Sequence, residues 1–398
     1  MKLDNIKELD KKYFMNTFGE RTPVAFEYGK GMYLWDTEGN KYLDMLAGIA
    51  VSALGHSHPK VINALKTQAN KLIHCSSLYY IESQAKLAEV LVNNSCADKV
   101  FFANSGAEAN EGAIKLARIY FKKKGMPERH EIITLDNSFH GRTLATIAAT
   151  GQTKYQKNYS PLTPKFISVP MNKLKELEEA ITEYTCAIMI EPIQGESGVN
   201  LMTPEFVKGI REICDTKDIL LIFDEVQCGI GRTGKMFGYE HLGVEPDIFT
   251  LAKALGAGFP IGALCAKDFV ADAFEPGDHG STFGGNPLAC STAYATFTTI
   301  LEDNIVNNSA NMGIYLKDKL NGLKEKFPCI VEVRGKGLMI GIQFDSEISK
   351  EVNKKLFEKG VLAGSVGTSI LRLLPPLIIS KEDINYFVNI LDEVLTEV

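Results

Sequence analysis

Two apolar runs, each ending at once in a charge, constrain this chain more than any other feature. Ile219-Leu220-Leu221-Ile222-Phe223 runs into Asp224-Glu225-Val226-Gln227, and Ile248-Phe249-Thr250-Leu251 runs into Ala252-Lys253-Ala254. Short, unbroken apolar runs of this kind are strands buried on both faces, which belong to a parallel sheet covered by crossover helices. In such open sheets ligands sit just outside the carboxyl ends of the strands. A chain that buries these two runs therefore carries an acid and an amine to one edge. Taken alone, the pair also admits a plainer reading. Asp224 caps a turn, and Lys253 is one of 43 basic residues, most of them solvated.

The rest of the chain supports an α/β fold. From about residue 85 to 290, strand and helix patterns alternate. Strands are expected at Lys99–Ala103, Glu131–Leu135, Ala187–Ile190, Ile219–Phe223, Ile248–Leu251 and Gly262–Ala266. Before this block, a helix over 5–18 precedes strand-like pieces at Val24–Phe26, Met32–Trp35 and Tyr42–Met45, the last two joined by a turn at Thr37–Asn40. Gly55-His56-Ser57-His58-Pro59 leads into a helix with Val61, Ala64, Leu65, Ala69 and Leu72 on one face. The His-x-His pair reads as helix-start structure in preference to a metal site. After about residue 290 a long helix over 287–325, strands at Ile330–Val333, Leu338–Phe344 and Ile370–Leu373, and helices near 347–359 and 381–396 describe a smaller α+β domain. A chain of 398 residues suits one large domain and one small one.

Composition narrows the classes. A net charge of -6 disfavours a general nucleic-acid binder, so an anionic substrate needs local basic residues. The 8 cysteines include no C-x-x-C pair, which disfavours a disulfide framework or a structural zinc site. No apolar run spans a membrane and no signal-peptide core is present at the N-terminus, so reduced cytoplasm is the expected compartment.

Five strand exits carry suggestive residues. Asn104-Ser105-Gly106-Ala107-Glu108 follows the first, with Ser105 and Glu108 spaced as a capping box. The free amides after Gly106 suit a phosphate, or simply form a capped helix. Phe139-His140-Gly141-Arg142 supplies an aromatic face and a planar cation fit for a carboxylate, or a core ring and a surface ion pair. Glu191-Pro192-Ile193-Gln194-Gly195-Glu196 places acids at a third exit. Asp224 and Lys253 complete the set, the lysine among small apolar neighbours that desolvate its amine and lower its pKa. A phosphate cup, an aromatic face, a buried acid and a desolvated lysine together describe a site for pyridoxal 5′-phosphate. Gly229-Ile230-Gly231-Arg232-Thr233-Gly234 matches G-x-G-x-x-G, but it neither follows its strand directly nor opens a helix, so it reads as a glycine-rich loop.

With these residues in place, the chain resembles the class III pyridoxal-phosphate aminotransferases, and within them the acetylornithine branch. The likeness runs from Gly48-Ile49-Ala50-Val51 through Ser105–Glu111, Phe139–Thr143, Glu191–Glu196, Phe223–Thr233, Leu251–Gly262 and Gly280–Pro287 to Leu371–Pro376. It implies the type I, aspartate aminotransferase-like fold. Residues 1–50 would then pack with a small domain at 291–398, around a large cofactor-binding domain at 51–290. It implies Lys253 as the Schiff-base lysine and Asp224 as the partner of the pyridine nitrogen. Ser105, Gly106 and Ala107 would hold the phosphate, Phe139 and Val226 the ring faces, and Gln227 the phenolic oxygen. Thr282 would reach the phosphate of a second subunit, so the resemblance implies a homodimer. Arg142 and Ser281 would contact N-acetylornithine, and Arg372, released from Glu196, would grip 2-oxoglutarate. The implied products are N-acetylglutamate 5-semialdehyde and glutamate, a step of arginine biosynthesis. Ornithine, succinylornithine, 4-aminobutyrate and lysine derivatives are the alternative donors. Ornithine-type relatives tend to carry a tyrosine where this chain has Ile49.

Overall fold

The structure, a computed structural model, describes residues 1–398. Its centre is a seven-stranded sheet in the order Lys99–Ala103, Gly262–Ala266, Ile248–Leu251, Leu220–Asp224, Thr185–Ile190, Glu131–Leu135, Phe166–Val169. All strands are parallel except Gly262–Ala266, which runs antiparallel to both neighbours. The two opening runs lie side by side, with Asp224 opposite Thr250. Alternate residues serve opposite faces. Leu221, Phe223, Phe249 and Leu251 join one core, while Leu220, Ile222 and Ile248 join a second, under the helix Gly106–Lys123. Each such side chain contributes about 1.5–3 kcal/mol on full burial, which is why this edge is rigid.

Two four-stranded sheets and a short ribbon, Ile193–Gln194 with Asn200–Leu201, accompany the first. Phe26–Lys30, Tyr33–Asp36 and Lys41–Asp44 form an antiparallel meander, and Val361–Leu362 adds to it in parallel beside Leu43 and Asp44. The N-terminal segment thus shares a sheet with the C-terminal part of the chain. Ile330–Lys336, Met339–Phe344, Ile370–Leu373 and Gly364–Val366 make an antiparallel sheet backed by the helices Ile305–Lys326 and Ser349–Glu358. The helix Lys381–Thr396 lies where the sequence places it.

Several expectations need correction. The long helix over 287–325 is two helices, Pro287–Glu302 and Ile305–Lys326, broken at Asn304, which adopts the left-handed conformation that asparagine tolerates. The first helix is Leu3–Tyr13 and stops five residues early. The first strand is Phe26–Lys30, not Val24–Phe26. The edge strand Phe166–Val169 is additional to the expected strands. The helix Pro59–Lys71 buries only Val61 of its apolar face, and Leu72 and the following Ile73 stay exposed. No helix is long and apolar enough to cross a membrane.

Candidate active site

The carboxyl ends of five central strands open onto one cavity of about 430 Å³. Its lining gathers Ser105, Gly106, Ala107, Phe139, Arg142, Glu191, Glu196, Asp224, Val226, Gln227 and Lys253. Residues far apart in sequence converge because each closes a strand of the same sheet.

Asp224 is buried at the floor. Its Oδ2 accepts from Asn110 Nδ2 and His140 Nδ1, each at 2.8 Å, and its Oδ1 accepts from Val226 N at 3.0 Å. Three donors fix the orientation of the carboxylate. Asn110 is fixed in turn: its Nδ2 also reaches His140 O at 2.7 Å, and its Oδ1 accepts from Thr250 Oγ1 at 2.7 Å. With Nδ1 donating to the carboxylate, His140 leaves Nε2 buried without a partner. Asn110, His140 and Thr250 belong to the hydrogen-bond network of Asp224, and the motifs alone do not single them out. The available signal is a polar Asn110 on the buried face of a helix that otherwise presents Ala109, Ala113 and Ile114 there.

Lys253 follows the strand Ile248–Leu251 with φ of 40°, a strained value for a residue with a side chain. Burial lowers its pKa from the ordinary 10.5, against the opposing pull of Glu196. Lys253 Nζ lies 3.9 Å from Glu196 Oε1. That same oxygen meets Arg372 Nη1 at 3.0 Å and accepts from Gln227 Nε2 at 2.8 Å. Burial alone would raise Glu196, but Arg372 and Lys253 bring it below the usual carboxylate range. Arg372 is buried, also donates to Gly195 O at 2.8 Å, and stands outside the cavity lining. Glu191 accepts from Phe139 N at 3.0 Å and so fixes the aromatic residue. Burial, reinforced by the charge of Asp224, drives Glu191 well above the usual range.

The helix Gly106–Lys123 brings its first two residues to the cavity lining. Ser105 Oγ accepts from Glu108 N at 3.2 Å, as expected of a cap. The reciprocal half of the capping box is absent, because Glu108 turns to Asn104 N and Nδ2, both at 2.8 Å. A Cβ on Gly106 would stand 2.8 Å from Val226 Cγ1, so the backbone approaches as closely as only glycine allows. Phe139 and Val226 border the remaining space. Arg142 is exposed at the mouth, stacked 4.1 Å over the Tyr155 ring, and has no carboxylate partner.

Ser281 and Thr282 belong to the loop before the helix Pro287–Glu302. Ser281 Oγ accepts from Asn104 Nδ2 at 3.2 Å and from Gly284 N at 2.9 Å, and Thr282 is exposed. Neither lines the cavity. The glycine-rich loop Gly229–Gly234 opens no helix. Glu225 pins the segment behind it, accepting from Gly238 N at 2.8 Å and Tyr239 N at 2.7 Å, and burial pushes this acid up to about 8. Buried Arg232 donates to Leu338 O and Pro375 O, so the loop is a brace between chain segments. His56 pairs with Asp44 at 2.8 Å, and His58 occupies the cap position of the helix Pro59–Lys71.

These residues fit pyridoxal phosphate. The cup at Gly106 has no room for a side chain, and Gln227 Oε1 is buried at the cavity without a hydrogen-bond partner. The donor set is one amine, one buried acid, an aromatic face and free helix amides.

Comparison with known proteins agrees. The profile of the family described as aminotransferase class-III matches residues 14–395. An acetylornithine aminotransferase of Caldanaerobacter subterraneus is 53% identical over 389 residues, covering 98% of each chain. One from Methanocaldococcus jannaschii is 53% identical over 398 residues and 100% of each chain. The solved ornithine aminotransferase of Toxoplasma gondii superposes with a TM-score of 0.95 at 34% identity, over 100% of this chain and 96% of that one. The acetylornithine aminotransferase of Elizabethkingia anophelis gives 0.89 at 34% identity, over 100% of both. The type I fold, the transferase class and the pyridoxal-phosphate dependence follow, and the chain belongs to the class III aminotransferase family.

Proposed function

We propose that the chain transfers the terminal amino group of N-acetyl-L-ornithine to 2-oxoglutarate, giving N-acetyl-L-glutamate 5-semialdehyde and L-glutamate. Pyridoxal phosphate, when bound, supplies the carbonyl that carries the amino group and the ring that accepts electrons. Everything else falls to the side chains. Lys253, whose pKa burial lowers, would take a proton from the carbon bearing the amine and return it on the cofactor side. Asp224, held by three donors, keeps a proton on the ring nitrogen. Ser105 and the Gly106 and Ala107 amides would hold the phosphate, Phe139 and Val226 the ring faces, and Gln227 the phenolic oxygen.

The observation that carries the choice of substrates is the contrast between two guanidinium groups. Arg142 is exposed and free of any carboxylate, while Arg372 is buried and neutralised by Glu196. Arg142 binds the distant carboxylate of the donor, which sets the length of the substrate as well as its charge, and Ser281 assists from the loop Gly280–Pro287. Arg372 engages 2-oxoglutarate once Glu196 lets go. A second copy completes the site on this reading, because Thr282 is turned to solvent in its own protomer. The apolar side chains of Leu72, Ile73, Leu78, Tyr79 and Tyr80 are exposed on one stretch of chain, as a homodimer face requires. Residues 1–50 and 291–398 then form the small domain around the large domain at 51–290, in the cytoplasm.

The test is a comparison of kcat/KM for N-acetylornithine and free ornithine with 2-oxoglutarate as acceptor. The proposal expects preference for the acylated amine, and preference for ornithine overturns it.

A further inference from the structure

Four consecutive residues beside the cavity have a left-handed backbone. Ala47, Gly48, Ile49 and Ala50 have φ values of 51°, 63°, 64° and 64°. Three of them carry side chains, for which this region is unfavourable, and such runs persist only where surroundings impose them. The turn ends at Val51, which lines the cavity, and leaves Ile49 exposed two residues earlier.

What imposes the turn is a buried acid. Asp44 Oδ1 accepts from Leu46 N at 2.9 Å and from Ala47 N at 2.8 Å, satisfying the donors where the chain reverses hand. Asp44 Oδ2 faces His56 Nε2 at 2.8 Å, and beside a carboxylate that nitrogen donates. His56 is itself held by two backbone bonds to Gly31, each 2.9 Å. The flanks of the turn are anchored to the C-terminal part of the chain, through Met45 N to Leu362 O and Leu374 N to Met45 O, both 2.8 Å. The Asp44–His56 pair therefore sits where the N-terminal sheet, the C-terminal strands and one wall of the cavity meet.

We propose that Asp44 and His56 are positioning residues for donor selection. They hold the left-handed turn that sets Val51 as an apolar stretch of the cavity wall. Such a wall accepts an acylated nitrogen and disfavours a free ammonium, whose burial there would go uncompensated. Neither residue touches substrate, and both act through the turn. The inference rests on the reading of the cavity as the site of an acylated ω-amine donor.

The test measures kcat/KM for N-acetylornithine and for ornithine, together with the acceptor KM, in the cofactor-loaded enzyme and in His56→Ala and His56→Gln. His56→Ala is expected to lower the N-acetylornithine to ornithine ratio about tenfold through the KM of the acylated donor, with the acceptor, 2-oxoglutarate, unaffected. His56→Gln, whose amide nitrogen also donates, is expected to recover most of the ratio. Equal losses for both donors and the acceptor, or an unchanged ratio, would overturn the proposal. If His56→Ala does not fold, Gly48→Ala carries the same test. It puts a side chain at φ of 63° while the nearest atom to the new Cβ is Val51 Cβ at 3.7 Å, so it strains the turn without a clash. A native enzyme that prefers ornithine refutes the donor reading, and this inference with it. A native enzyme that prefers N-acetylornithine, with a ratio indifferent to both variants, refutes the positioning role alone.

Discussion

Replacing Asn110 with Ala tests the buried network directly. The substitution removes three hydrogen bonds at once, to Asp224 Oδ2, to His140 O and from Thr250 Oγ1. The bond to the carboxylate is charge-assisted and contributes about 1.5–3 kcal/mol, while the two neutral bonds contribute about 0.5–1.5 kcal/mol each. Asn110 and Thr250 are buried, so no water replaces the lost partners without opening the core. The sum is a destabilisation of about 2.5–6 kcal/mol, read from urea unfolding of the cofactor-free protein. Thr250→Val keeps the shape and removes one of the three bonds, at a cost of about 1 kcal/mol. Because both substitutions delete the same contact, the double variant should lose less than the sum, with a coupling of about 0.5–1.5 kcal/mol. A loss under about 1 kcal/mol for Asn110→Ala, or strict additivity, would refute the network as described.

Three other outcomes are expected. Burial holds the Lys253 pKa below 10.5, so between that lowered value and 10.5 the unfolded chain binds the extra proton and stability rises with pH. Lys253→Met should abolish turnover, remove this slope from cofactor-free unfolding curves and stabilise the protein at neutral pH. Arg142→Lys keeps the charge but loses the planar fork, and steady-state kinetics should show the donor KM raised about tenfold with the acceptor KM unchanged. Gly106→Ala drives a methyl group against Val226, and equilibrium titration should show weaker pyridoxal phosphate binding with secondary structure intact.

The central sheet was legible because its strands are continuous apolar runs, and the candidate site was legible because five of those strands lead into residues that line one cavity. The break at Asn304 was not, since the apolar pattern continues on both sides and only the backbone shows the change of hand. Phe166–Val169 is a four-residue edge strand, only partly buried, and lacks the signature of a central one. Asn110 and His140 escaped for a different reason. Their hydrogen bonds to Asp224 span 114 and 84 residues, and no local pattern encodes them. Glu108 satisfied the spacing of a capping box, yet Asn104 offered it two donors and won. Asp44 and His56, 12 residues apart, meet at 2.8 Å, a pairing that the His-x-His spacing does not announce.

Lys253 is the residue expected to join the cofactor. Borohydride reduction of the pyridoxal-phosphate-loaded protein, followed by peptide mapping, reads this without reference to substrate. The label should be fixed on Lys253 and should disappear in Lys253→Ala. A label on another lysine, or none on a protein that nevertheless transaminates, would contradict the assignment of the site.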